Sequence, residues 1–125
     1  MTGRKRILIV DDEVAMGNML AACCDMWGFE PVVVTTGAEA LQILEHSTPD
    51  LILTDFMMPG MSGHELCRRA RADSRLRDVP VVLTSSAVEA AGRDSPADAL
   101  LPKPFDLDEV ERVIRESLER GSHKP

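Results

Sequence analysis

The apolar run Ile7-Leu8-Ile9-Val10 stops abruptly at two aspartates, Asp11 and Asp12. A continuous run of that length, rich in β-branched residues, suits a strand buried on both faces. Such strands belong to parallel sheets covered by helices on either side, so this run alone narrows the fold. Residues 31–34, 50–54, 79–84 and the shorter 99–101 read as further strands. Between and after them lie segments with helical spacing. They are 14–26, ending before Gly28; 38–44, after the break at Thr36-Gly37; a helix to about Ala72 that Ser62 is placed to cap; and 107–118, with apolar residues at 107, 110, 113, 114 and 118. Alternation of this kind implies βαβ units and a doubly wound α/β sheet.

One stretch resists the pattern. A helix belongs between the fourth and fifth strands, yet residues 87–96 hold only one bulky apolar side chain, Val88. Gly92 and Pro96 both oppose a long helix. The expectation for 86–98 is a shortened helix of one or two turns, or a mobile loop. The rest reads as one domain over 1–120, with 121–125 as a frayed tail or linker stub.

Composition excludes several roles. The net charge is −7, which argues against a direct nucleic-acid surface. No apolar run is long enough to span a membrane, and the apolar stretch after Arg4-Lys5-Arg6 is too short for a secretory signal. The default location is therefore cytoplasmic. Cys23, Cys24 and Cys67 lack disulfide or metal spacing and read as packing residues.

In an open parallel sheet, sites form outside the carboxyl ends of the strands. Asp11 and Asp12 follow the first strand, and Asp55 follows the third. The fourth ends in Thr84-Ser85-Ser86 and the fifth leads into Lys103. Taken singly, each has an ordinary reading: a turn aspartate, a solvated lysine, a loop serine. Together they are complementary. Three carboxylates in one crevice repel one another and call for a hard divalent cation, magnesium being the natural choice. Hydroxyls, backbone N–H groups and an ammonium complete the parts for phosphoryl transfer, where positioning and charge neutralisation do most of the catalysis.

These residues carry a family resemblance. Ile7-Leu8-Ile9-Val10-Asp11-Asp12-Glu13, Gly37-Ala38-Glu39-Ala40-Leu41, the block from Pro49 to Gly63, Val79-Pro80-Val81-Val82-Leu83-Thr84-Ser85 and Lys103-Pro104-Phe105 resemble, in order, the motifs of response-regulator receiver domains, including chemotaxis receivers. The resemblance covers about residues 5 to 119. It implies the flavodoxin-like (βα)5 fold with strand order 2-1-3-4-5. It also implies roles. Asp55 is the phosphoacceptor. Asp11 and Asp12 hold Mg2+ with Asp55 and the backbone carbonyl of Met57. Lys103 binds a phosphoryl oxygen, and the Lys103-Pro104 bond is expected to be cis. Ser85, with Thr84 as the competing candidate, supplies the hydroxyl that follows the phosphoryl group. Ser86 and Met57 lie beside the phosphate.

Two departures from the pattern stand out. Leu100 occupies the switch position where relatives usually carry an aromatic residue, and the chain has no tyrosine. Ser85 and Lys103 are 18 residues apart, shorter than usual by about one helical turn. The resemblance implies a switch that accepts a phosphoryl group from a histidine kinase or phosphotransfer protein and then controls an output partner, as a monomer or a phosphorylation-dependent dimer. The alternative is a pseudo-receiver that only binds proteins. A turnover phosphatase is the third reading, but it would want an acid two residues after Asp55. Met57 stands there and cannot move a proton, so the chain is expected not to be a conventional enzyme.

Overall fold

The opening apolar run forms β1 (Arg6–Val10) of a computed structural model that describes residues 3–86 and 95–122. The order continues with α1 (Val14–Met26), β2 (Glu30–Val34), α2 (Gly37–His46), β3 (Leu51–Asp55), α3 (Gly63–Ala72), β4 (Val81–Ser85), β5 (Ala99–Pro102) and α4 (Leu107–Ser122). The five strands pair in parallel in the order β2-β1-β3-β4-β5, as the resemblance implied. The chain thus reverses its winding direction beside β1 and β3, and a crevice opens there at the carboxyl ends.

Side chains alternate faces along each strand, and both faces are covered. Ile7, Ile9, Leu51, Leu53, Val82 and Leu101 pack with Leu20 and Cys24 of α1 and Val110, Val113 and Ile114 of α4. Leu8, Val10, Ile52 and Val81 pack on the other face with Ala40 and Leu44 of α2 and Leu66, Cys67 and Ala70 of α3. The central strands are therefore continuous apolar runs with no solvent face. All three cysteines are free and buried, in keeping with a packing role.

Several boundaries differ from the sequence reading. β3 begins at Leu51, and the Asp50 carboxylate just before it accepts the backbone N–H of Arg6 at 2.7 Å. β3 ends on Asp55 itself instead of before it. β4 begins at Val81: Pro80 has no N–H to give, and the Val79 N–H is used in a turn to Leu76. At its other end β4 includes Ser85 as its last residue, paired with Pro102. The closing helix continues to Ser122, so Gly121 and Ser122 are helical. Gly121 lies against Pro80, where an added Cβ would come within 3.2 Å of the ring, so the last turn of α4 packs close to the lower end of β4. Ser62 caps α3 as read, its Oγ accepting the Glu65 N–H at 3.2 Å; Thr36, read only as part of a break, caps α2, its Oγ1 accepting the Glu39 N–H at 3.0 Å. The helix expected within 86–98 falls largely on residues 87–94, which lie outside the described residues.

Candidate functional site

Two adjacent strand ends, those of β1 and β3, bring the three acids together. Asp11, Asp12 and Asp55 each offer a carboxylate oxygen, and these oxygens lie within 4.8 Å of one another. Asp11 leaves β1 with its backbone N–H on the Val34 carbonyl at 3.1 Å, and its Oδ1 accepts the Glu13 N–H at 2.9 Å. That turn points the Asp11 carboxylate inward, where it is 2% exposed, while Asp12 is exposed. Burial raises the Asp11 pKa above its ordinary value of 3.8; the Glu13 N–H and the Lys103 charge oppose the rise, and the charges of Asp55 and Asp12 add to it. A buried carboxyl pressed by two like charges fits a site built for a cation. The donors are all hard oxygens, few in number, with one side open. That suits magnesium, which keeps several waters.

Lys103 reaches the same crevice from the other side. Its Nζ lies 3.4 Å from Asp55 Oδ1, with both side chains mostly buried. The Lys103-Pro104 peptide is cis, as expected. The Lys103 N–H donates to the Ser85 carbonyl at 2.8 Å. Ser85 and Thr84 are each 2% exposed at the end of β4. Thr84 is the ladder partner of Asp55, and Ser85 is that of Pro102, next to the lysine. Both hydroxyl candidates thus flank the crevice, and Ser85 is the one tied through its backbone to Lys103. Ser86 is exposed and lines an apolar hollow of about 490 Å³ with Lys103, Met16, Met19, Pro104, Phe105 and Leu107. Met57 is 62% exposed two residues past Asp55 and lines a separate groove beside α2 and α3. Leu100 is half-buried on β5 and pairs in register with Leu83.

Two residues that sequence reading left as ordinary chain lie against Asp55. Gly63, read as loop, is the first residue of α3 and abuts the Asp55 carbonyl. Thr54, read only as strand, donates its hydroxyl to that same carbonyl. The one signal available was the position of Gly63 immediately after a capping serine.

Residues 7–115 match the family model for the response regulator receiver domain. The chain is 37% identical to the DNA-binding response regulator MtrA of Mycobacterium tuberculosis, over 99% of this chain and 55% of MtrA. It therefore spans about half the length of the curated relatives it matches. Among solved structures it is similar to the signal receiver domain of a histidine kinase from Syntrophus aciditrophicus, with TM-score 0.87 and 28% identity over 97% of this chain and 95% of that one. It is also similar to the response regulator TrrA from Thermotoga maritima in complex with Mg2+ and BeF, with TM-score 0.82 and 30% identity over 90% and 97% of the two chains.

Proposed function

The chain belongs to the response regulator receiver domain family, and from that premise we propose that Asp55 accepts a phosphoryl group from the phosphohistidine of a sensor kinase or phosphotransfer protein. The observation that carries this reading is the joint approach of Lys103 and two further carboxylates to Asp55. An Asp55 oxygen attacks the phosphorus in line, the P–N bond to the donor imidazole breaks, and an acylphosphate is left on Asp55. Lys103, already beside the carboxylate, neutralises charge gathering on the phosphoryl oxygens. Ser85 offers its hydroxyl to one of those oxygens, and the N–H groups of Met57 and Ser86 lie nearby in sequence to serve others. Asp11, Asp12, Asp55 and the Met57 carbonyl would hold magnesium, which supplies further neutralisation of the phosphoryl charge.

The same reading makes the chain a switch, not a turnover enzyme, because Met57 offers no acid–base group where a phosphatase would need one. Formation of the acylphosphate changes the charge at the crevice, and the Ser85–Lys103 link carries the change into β4 and β5. MtrA is described as DNA-binding; for the receiver itself, whose net charge of −7 disfavours DNA phosphates, a protein surface is proposed as the contact that phosphorylation controls. No helix among the described residues is long and apolar enough to cross a membrane, and a cytoplasmic place beside the kinase's phosphohistidine is proposed. The test is transfer from a phosphorylated histidine kinase domain. Labelled phosphate should move to the intact chain and not to Asp55→Asn; equal labelling of both would remove Asp55 from the role.

A further inference from the structure

The backbone carbonyl of Asp55 is gripped from two directions. Thr54, 1% exposed, donates its hydroxyl to the oxygen at 3.1 Å. Gly63 stands so near that a Cβ on it would lie 2.3 Å from the same oxygen, 3.1 Å from the carbonyl carbon and 2.7 Å from Leu83 Cδ1. The N–H of the same peptide, that of Phe56, donates to the Thr84 carbonyl at 2.8 Å, and the next peptide is fastened as well, the Gly63 N–H donating to the Phe56 carbonyl at 2.9 Å. Gly63 is not among the glycines with positive φ, so space and not backbone conformation demands glycine here. Helix α3 therefore begins seated directly on the peptide that carries the reactive carboxylate.

We propose that Gly63 and Thr54 are positioning residues for phosphoryl transfer, holding the Asp55 peptide so that its carboxylate stands in line with the incoming phosphorus. The inference rests on the function proposed above. Neither residue touches substrate; both act through the Asp55 main chain. A misplacement of 1 Å at a reacting group can cost on the order of 100-fold in rate. The Asp55 side chain swings from a Cα whose own carbonyl is clamped, so loosening the clamp moves the nucleophile. Asp11 and Asp12 hang from a different strand and do not depend on it.

The experiment uses the whole chain with phosphoramidate as donor in magnesium. It compares wild type, Thr54→Val, Thr54→Ser and Gly63→Ala. Readouts are the saturating rate of acylphosphate formation, the half-saturating donor concentration, magnesium affinity and the unfolding midpoint. Thr54→Val keeps shape and removes the donor; its saturating rate, read at saturating magnesium, should fall about tenfold, with donor half-saturation little changed. Thr54→Ser should restore the rate. Gly63→Ala must displace the Asp55 carbonyl and should fall further, by on the order of 100-fold. Should Gly63→Ala fail to fold, the threonine pair still decides. A Thr54→Val rate equal to wild type overturns the proposal, as does Thr54→Ser remaining as slow as Thr54→Val. A wild type that takes no phosphoryl group at all overturns the functional reading itself, and with it this inference.

Discussion

Lys103 donates its backbone N–H to the carbonyl of Ser85 at 2.8 Å, while its ammonium lies 3.4 Å from Asp55 Oδ1. One residue thus joins the proposed switch hydroxyl to the phosphoacceptor. With the phosphate mimic beryllofluoride and magnesium, the amide resonance of Lys103 should shift in the wild type. In Ser85→Ala that shift should shrink, while Thr84→Val should leave it in place. A Lys103 shift that survives Ser85→Ala and vanishes in Thr84→Val would assign the hydroxyl to Thr84. The half-buried Leu100 should change little, having no hydroxyl to rearrange.

Asp12 is the exposed member of the acid cluster, so its removal is expected to be tolerated by the fold. Asp12→Ala should lower magnesium-dependent phosphorylation by at least about 100-fold. The unfolding midpoint of the metal-free protein should hold or rise, because one of three repelling charges is gone. Magnesium at about 100 times its dissociation constant should stabilise the wild type by about 2.7 kcal/mol. The variant should gain much less. Thermal melts with and without magnesium read both effects.

Asp11 sets a pH dependence for the metal-free protein. Its folded pKa is raised by burial above the ordinary 3.8, so the folded state holds that proton more tightly than the unfolded chain. The stability contributed by Asp11 is therefore fully present below 3.8 and is lost as pH rises through the raised folded value. Asp11→Asn should flatten this loss, and without metal the variant should be more stable than wild type above that window. Magnesium should reverse the ranking. Urea titrations across the acid range, with and without the metal, provide the comparison. A wild-type loss that Asp11→Asn leaves unaltered would assign it to another group.

The fold was largely legible because each central strand is apolar on both faces, which leaves no arrangement but a covered parallel sheet. The acids were legible for a related reason: Asp11, Asp12 and Asp55 interrupt or end apolar runs at points where a charge has no place in a core. Strand limits were less so. Pro80 limits the start of β4 through its missing N–H, and a long-range bond from Arg6 to Asp50 brackets the start of β3. Neither effect shows in local hydrophobic pattern. The seat of Gly63 on Asp55 was invisible for the same reason, since it depends on how α3 returns to the sheet.

Met57 is exposed beside the phosphoacceptor, and its thioether is a poor partner for water. The acylphosphate should therefore be long-lived, and Met57→Asn should shorten its half-life by about tenfold. Decay of the phosphorylated protein in magnesium measures the effect. Wild-type decay within seconds, or slower decay in Met57→Asn, would show that water access does not set the lifetime.

Burial pushes the Cys24 thiol up to about 12, the neighbouring Cys23 adding to the rise. Cys67 is likewise raised, by burial first. Native protein at neutral pH should react with a thiol reagent far more slowly than protein in denaturant. Rapid modification of the native fold would contradict the packing role of these residues.

Where and when the chain gains a phosphoryl group defines the switch. Intact-mass spectrometry after incubation with phosphoramidate reads this directly, for wild type in magnesium, wild type in chelator, and Asp55→Asn in magnesium. One phosphoryl group should appear in the first sample and in neither of the others. A phosphoryl group gained in chelator, or retained by Asp55→Asn, would contradict the claim that Asp55 in a magnesium-holding crevice is the seat of the switch.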